Sequence, residues 1–121
     1  FCRDPNQHEN DKGPKLIEFY KNAPPKFLPT GRVAYIITNR LEKNRLHTEK
    51  WLIDHGIKCN HLLMKEDENE NHIDHKVRKI QMLSAKISMY VESDDRQARM
   101  IADRIAVMPI WCVDSRHLYN A

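Results

Sequence analysis

The segment Val33-Ala34-Tyr35-Ile36-Ile37-Thr38-Asn39-Arg40 opens with five residues, four of them bulky and apolar, that do not alternate with polar ones. Such a run is typical of a strand covered on both faces, as in a parallel sheet with helices above and below it. The run stops at Thr38, and a helical pattern follows. Because ligands of such sheets bind at the carboxyl ends of the strands, Thr38, Asn39 and Arg40 lie where they could bind a phosphate group.

The rest of the chain alternates helical and strand patterns. The clearest helical stripe is Ala98, Ile101, Ala102 and Ile105, at the i, i+3, i+4, i+7 spacing. With right-handed crossovers, this alternation predicts an α/β fold, a three-layer α/β/α sandwich with a parallel Rossmann-like sheet. The predicted helices are 14–23, 41–55, 72–84 and a fourth that Asp94 or Asp95 caps, and the predicted strands are 33–38, 61–64, 87–92 and 107–113.

Length and composition fit one ordinary globular domain over residues 1–121. Charged residues make up 31% and hydrophobic ones 40% of the 121 residues, and the net charge of +3 is too small to indicate a nucleic-acid surface by itself. No apolar run approaches the ~20 residues of a membrane span, and no signal peptide is recognisable, so we expect a cytoplasmic protein without membrane contact. We expect Cys2, Cys59 and Cys112 to be reduced thiols.

A lysine on the third predicted helix is the second group that could carry chemistry. An ammonium group is needed wherever a phosphate and a carboxylate nucleophile would otherwise repel each other. Lys76 and Lys79 are both candidates, and because they lie at i, i+3 the spacing does not choose between them. A solvated helix face is the alternative interpretation of either lysine.

The acidic stretch Glu92-Ser93-Asp94-Asp95, at the end of the third predicted strand, is the third group. Oxygen ligands at a strand end suit Mg²⁺, which takes one or two carboxylates together with substrate phosphate and water. The alternative interpretation is a capped helix with incidental acids. A Thr-Asn turn that caps the following helix is likewise the alternative at Thr38 and Asn39.

Together these groups resemble the second, third and fourth motifs of the haloacid dehalogenase (HAD) superfamily of phosphatases. The resemblance covers nearly the whole chain and extends to a bacterial and phage subgroup often annotated alongside phosphoribosyltransferases. The stretches similar to that subgroup are Cys2-Arg3-Asp4-Pro5, Glu9-Asn10-Asp11 with Gly13, Asn22-Ala23-Pro24, Thr38-Asn39-Arg40-Leu41-Glu42-Lys43, Thr48-Glu49-x-Trp51-Leu52, Glu92-Ser93 with Gln97-Ala98, and Pro109-x-x-Cys112-Val113.

The resemblance implies a Mg²⁺-dependent phosphoric monoester hydrolase that works through an aspartyl-phosphate. It also implies a fused or associated phosphoribosyltransferase domain as a partner. Residues 6–23 lie where the superfamily inserts its caps. A cap this small would leave an open site for a larger phosphorylated substrate, such as a nucleotide or a polynucleotide end. The implied site residues are Thr38, Asn39 and Lys76 or Lys79 for catalysis, Glu92, Asp94 and Asp95 for the metal, and Arg3 and Arg40 for the substrate.

The chain departs from the superfamily pattern in its first motif. Asp-x-Asp-Gly, which carries the nucleophile and the acid/base, does not occur in the sequence. We expect it immediately before Phe1, in an amino-terminal segment that this chain lacks. Its strand would lie centrally, between the strands that end at Thr38 and Glu92. Without that strand, both of its neighbours would have an unpaired edge, and each unmet backbone group would cost roughly 1–3 kcal/mol of stability. We therefore expect the chain alone to be marginally stable.

Two other hypotheses remain open. A catalytically degenerate domain of the same fold could serve as a binding or interaction module. The fourth motif favours this weakly, because Glu92-Ser93 stands where the superfamily usually has Gly-Asp or Asp-Asp. A zinc site is the other hypothesis, although the Cys-x-His and His-x-x-His spacings are not a standard zinc pattern. Its ligands would be Cys59, His61, His72 and His75.

Overall fold

The computed structural model describes residues 21–22, 25 and 28–120. The chain forms two compact units, Phe1–Glu68 and Asn69–Ala121. Lys21 and Asn22 are helical, as predicted, and the rest of the predicted helix 14–23 lies outside the described residues, as do Cys2 and Arg3. No helix in the described part of the chain is both long and apolar enough to cross a membrane.

The first unit is built on a pair of parallel strands. Strand β1 (Val33–Leu41) pairs with β2 (Cys59–Lys65), with Val33 opposite Cys59 and Ile37 opposite Leu63. A 3-10 turn (Glu42–Asn44) and helix α1 (Arg45–Asp54) connect them. The helix ends at Asp54, and Gly56 follows its C-cap with a φ of 70°, in the left-handed region that glycine adopts without strain.

Helix α1 begins later than predicted. The sequence predicts a helix from residue 41, but Leu41 is 7% exposed and pairs with Lys65, so it belongs to β1. Asn44 precedes the helix without a side-chain cap. The buried residues of α1 are Thr48, Trp51 and Leu52, and the last two pack in a cluster with Ile36 and Ile57. This cluster is the core of the first unit.

The second unit has a three-stranded sheet. Strands β3 (Tyr90–Glu92) and β4 (Ile110–Cys112) are parallel, and β5 (His117–Tyr119) pairs antiparallel with β4. Helix α2 (His72–Leu83) precedes β3, and helix α3 (Asp95–Arg104) connects β3 to β4. Helix α3 contacts α2 and all three strands. The α/β class predicted from the sequence is therefore confirmed.

Side-chain caps and apolar stripes fix both helices of the second unit. The Asn71 side chain accepts hydrogen bonds from the backbone N–H groups of Ile73 and Asp74, at 2.8 and 3.2 Å, and Asp94 accepts one from Gln97 at 3.2 Å. Asp94, rather than Asp95, is thus the cap of α3. The predicted stripe on α3 is buried in full, namely Ala98, Ile101, Ala102 and Ile105.

The end of the chain departs from the prediction of an all-parallel sheet. The predicted strands 87–92 and 107–113 shorten to β3 and β4, and the antiparallel strand β5 was not predicted. A three-residue strand after a polar turn leaves little periodic signal in a sequence. Asn120, in the left-handed region at φ 59°, fixes the end of β5 because its amide donates to the carbonyls of Ala102, Ile105 and Met108.

Strands β1 and β3, like β2, each have a single strand neighbour among the described residues. Within the described residues, β1 pairs only with β2, and β3 pairs only with β4. These are the two strands for which the sequence predicts an unpaired edge. Ile36 lies in the middle of β1 and is 7% exposed, so one side of this strand is buried although it has no strand neighbour on its open edge in the described part of the chain.

Candidate functional site

The Thr38-Asn39-Arg40 segment leaves the regular ladder of the first unit. Ile37 lies opposite Leu63 and Leu41 opposite Lys65, so three residues of β1 face a single residue of β2. This irregularity is a bulge, a feature that reorients side chains near functional sites. Regular pairing therefore ends where the apolar run ends in the sequence, although β1 itself continues to Leu41.

The bulge uses its polar side chains in two ways. The Thr38 hydroxyl accepts a hydrogen bond from the backbone N–H of Arg40 at 3.1 Å, a local side-chain-to-backbone contact that stabilises the bulge. The amide oxygen Oδ1 of Asn39 is buried and finds no hydrogen-bond partner among the residues that the structure describes. A buried acceptor without a donor reduces stability, so a group that donates a hydrogen bond to this oxygen would stabilise the bulge.

Arg40 points into the first unit. It is 7% exposed, and its guanidinium lies 5.5 Å from the ring centre of Trp51 and donates to the Thr48 hydroxyl at 3.4 Å. Stacking on an aromatic face is a favourable place for a guanidinium. The prediction that Arg40 binds substrate stays a prediction, since in this arrangement the side chain packs against α1.

In the second unit, the structure brings Lys76 and Glu92 together. The Lys76 ammonium donates to the Glu92 carboxylate at 2.8 Å, and both side chains are almost completely buried. Lys79, the other candidate lysine, is also buried, on the same helix. Contact with the acidic strand end therefore distinguishes two lysines that the sequence spacing leaves equivalent.

The Glu92 carboxylate receives four hydrogen bonds. Oε1 accepts from the Lys76 ammonium and from the Tyr90 hydroxyl, the latter at 3.0 Å. Oε2 accepts from the backbone N–H groups of Ser93 and Asp94, at 3.0 and 3.2 Å. A carboxylate has about four lone-pair positions, so each position has a donor. We call this group the Glu92 cluster: Lys76, Tyr90, Glu92, Ser93 and Asp94.

The surroundings of Glu92 keep it ionised. Burial by itself raises the pKa of Glu92, but the charge and hydrogen bond of Lys76, together with the bonds from Asp94 and Tyr90, outweigh burial and lower the pKa below its ordinary value. The Tyr90 pKa lies well above its ordinary value because the side chain is buried beside the Glu92 charge. Tyr90 therefore remains a hydrogen-bond donor throughout the neutral range.

The other two acidic candidates have separate partners. Asp94 caps α3 through its oxygen Oδ2. Asp95 accepts a hydrogen bond from the Tyr119 hydroxyl at 2.7 Å, which, with a bond from Ser115, lowers the Asp95 pKa. The same contact raises the Tyr119 pKa. Strand β5 thus reaches the start of α3, a connection that the sequence gives no means of predicting.

Among the predicted site residues, then, the structure joins Lys76, Glu92 and Asp94, and it adds Tyr90, which the sequence analysis missed. The signal for Tyr90 was its i, i+2 relation to Glu92, since alternate residues of a strand share a face. Within the described residues, no group of three or more His, Cys, Asp or Glu is arranged to hold a metal ion. Cys59 and His61 belong to the first unit and His72 and His75 to the second, so the zinc hypothesis stays a prediction. Cys59 and Cys112 are free thiols, and burial raises the Cys59 pKa.

No protein-family model, curated protein or solved structure matches the chain. The fold by itself defines the class: the chain is an α/β protein in which helices connect the strands of each parallel pair.

Proposed function

We propose that this chain is the core of a Mg²⁺-dependent phosphoric monoester hydrolase of the HAD type, with the three-layer Rossmann-like arrangement of that superfamily. One observation carries the proposal: a buried ion pair joins Lys76 to Glu92 at the carboxyl end of β3. The carboxyl ends of parallel strands are where ligands of α/β proteins bind. An ion pair held there out of water retains most of its electrostatic strength.

The chemistry needs a fixed positive charge. A phosphate ester and an attacking carboxylate repel each other, and an ammonium group between them reduces the barrier because it stabilises the charge of the transition state. Lys76 is the residue that we assign to this role. Its contact with Glu92 favours it over Lys79, which is assigned no step.

The remaining roles follow from the resemblance and are part of the proposal. The Thr38 hydroxyl would bind a phosphoryl oxygen, with the backbone amide of Asn39 completing that contact. The nucleophile would be the first Asp of an Asp-x-Asp pair, which residues 1–121 do not contain, and it would form the aspartyl-phosphate in the complete protein.

The acidic candidates differ in how well they suit Mg²⁺. Asp94 and Asp95 are carboxylates of the type that Mg²⁺ prefers, and two of them are enough beside phosphate and water. Asp94 uses one of its oxygens in the helix cap. Glu92 suits the ion poorly, because all its lone-pair positions have donors. Mg²⁺ held by Asp94 and Asp95 would neutralise charge on the phosphoryl oxygens.

The substrate class follows from the proposed small cap over residues 6–23, most of which lie outside the described residues. An open site would accept a phosphorylated nucleotide or a polynucleotide end. A phosphoribosyltransferase domain, fused or associated, is the partner that the resemblance suggests.

A second candidate function has one observation in its favour. Within the described residues, no group of three or more potential metal ligands forms. If Glu92 binds Lys76 and no metal, the domain could bind phosphorylated molecules without hydrolysing them. This is the binding or interaction module of the same fold.

The test is a phosphatase assay on the protein in the full length that its gene encodes. A generic phosphate ester and a set of nucleoside monophosphates would be supplied with and without Mg²⁺. We expect Mg²⁺-dependent turnover that falls by about 100-fold or more in Lys76→Met and in Thr38→Ala. Lys50→Met, which removes a lysine from the exposed pair with Asp54, is the matched control and should leave turnover unchanged.

Two results would separate the candidates. Turnover that Lys79→Met abolishes and Lys76→Met leaves intact would contradict the assignment of the lysine. Absence of turnover on every ester, combined with saturable binding of inorganic phosphate that Lys76→Met removes, would reject the hydrolase in favour of the binding module.

A further inference from the structure

We propose that Glu92 is not a ligand of Mg²⁺ but an anchor that Tyr90 and the backbone N–H groups of Ser93 and Asp94 hold in place, and that its task is to position the Lys76 ammonium. This inference deepens the proposed function. It rests on the proposed function only for the role of the Lys76 charge in catalysis. It assigns Tyr90 as a positioning residue of the site.

The first step is the occupancy of the two carboxylate oxygens. Oε2 faces the backbone, where two consecutive N–H groups fix it at 3.0 and 3.2 Å. Oε1 faces two side chains, the Lys76 ammonium at 2.8 Å and the Tyr90 hydroxyl at 3.0 Å. A cation that bound either oxygen would therefore have to displace a donor that is already in place.

The second step is the cost of that displacement. Glu92 is 3% exposed and Lys76 is 8% exposed, so a donor that leaves the carboxylate does not gain full contact with water in exchange. An unmet backbone N–H or a buried ammonium without its partner is the costly result. Asp95 is partly exposed, so it can bind a cation with less loss.

The third step concerns Tyr90 itself. Tyr90 and Glu92 are alternate residues of β3 and share one face of the strand, which brings the hydroxyl to Oε1. The two backbone N–H groups hold Oε2, and Tyr90 is the donor other than Lys76 that holds Oε1. The position of Oε1 therefore does not depend on the lysine alone, and Tyr90 acts on Lys76 through Glu92.

The functional consequence is a lysine in a fixed place. Side-chain entropy is the main loss when a long side chain must act from one position, and here the fold has already restricted it. A site that needs a positive charge between two anions is best served by such a preorganised group.

The positional claim is tested by competitive acetylation of the lysines in the folded full chain, followed by mass spectrometry. Tyr90→Phe removes one donor from Oε1, and we expect acetylation of Lys76 to rise about fivefold relative to Lys79. Tyr119→Phe is the matched control, because it removes an equivalent tyrosine–carboxylate bond, at Asp95. An unchanged Lys76 rate in Tyr90→Phe, or a rise that Lys79 shares, would overturn the proposal.

The metal claim is tested without any variant, by carbon-13 NMR of the side-chain carboxyl of Glu92 in the wild-type chain. Addition of millimolar Mg²⁺ should shift this resonance far less than the carboxyl resonances of Asp94 and Asp95, the two carboxylates proposed to hold the ion. A saturable shift of the Glu92 carboxyl carbon at least as large as those of Asp94 and Asp95 would indicate direct coordination and overturn the proposal. Both tests read geometry rather than turnover, so a failed phosphatase assay would reject the proposed function and leave this inference standing.

Discussion

The bulge of the first unit and the Glu92 cluster of the second unit share a sequence pattern, polar residues at the end of a strand, but use their cations differently. The bulge lies near the carboxyl end of β1 and Glu92 is the last residue of β3, and both strands belong to parallel pairs. Each region also contains a cation for which the sequence predicts a role in binding or catalysis. In the first unit the cation, Arg40, packs on Trp51 inside its own unit. In the second unit the cation, Lys76, pairs with the carboxylate at the strand end.

The difference shows what decides the use of a polar residue at a strand end. A guanidinium can be buried against an aromatic ring and a hydroxyl, because it is weakly hydrated and planar. An ammonium is compact and strongly hydrated, so it needs a full charge as its partner when it is buried. The Glu92 cluster therefore joins its cation to a buried carboxylate, whereas Arg40 stacks on Trp51 and bonds to Thr48 in the first unit.

Lys76→Met is expected to have the largest effect on stability. It leaves Glu92 as a buried charge without its cation, for which the usual cost is about 3–5 kcal/mol of unfolding free energy. The three remaining donors to the carboxylate place the expected loss near the lower end. Urea unfolding of the full chain measures it, with Lys50→Met, from the exposed pair with Asp54, as a control that should cost less than about 1 kcal/mol. Equal losses in the two variants would remove the contrast between a buried and an exposed pair.

Arg40→Lys tests the other side of the comparison and should have a smaller effect. Lysine keeps the charge but loses the planar stacking on Trp51 and the fork that reaches Thr48, so we expect a loss of about 1–2 kcal/mol. Thermal unfolding measures it. A loss as large as that of Lys76→Met would contradict this ranking of the two cations.

Thr38→Val is expected to have the smallest effect of the three. It removes the acceptor of the Arg40 backbone N–H, which should cost about 0.5–1.5 kcal/mol. Thr48→Val is the comparison variant, because its hydroxyl forms the longer contact of 3.4 Å and should matter less. If urea unfolding shows a larger loss of stability in Thr48→Val than in Thr38→Val, the contact with α1 stabilises the bulge more than the hydrogen bond within it does.

Much of the framework could be predicted because it depends on local patterns. The stripe on α3 and the apolar run of β1 report burial directly, and Asp94 and Asn71 fit the chemistry of helix caps. The late start of α1 could not be predicted, because the pairing of Leu41 with Lys65 overrides a local helical preference. Strand β5 was missed for a similar reason, since it depends on β4 and on the three carbonyls that Asn120 binds.

The candidate site was predictable in its residue types but not in its pairings. The sequence placed Lys76 and Lys79 on one helix and Glu92 at a strand end, yet helical spacing cannot say which ammonium reaches the carboxylate. Only the packing of α2 in the second unit determines that. The inward turn of Arg40 depends on Trp51, eleven positions further along the chain, and no local pattern contains that contact.

The most direct test of the Glu92 cluster is the titration of Glu92 itself, followed by carbon-13 NMR of its carboxyl carbon in the folded chain. Attraction to Lys76 and the hydrogen bonds to the carboxylate lower its pKa in the folded state, so the pair contributes stability above the ordinary glutamate value of 4.5 and loses it as the pH falls through the lowered pKa. We predict a midpoint below 4.5 that rises in Lys76→Met. A midpoint at or above 4.5 in the wild-type chain would show that burial outweighs the ion pair and would contradict the account.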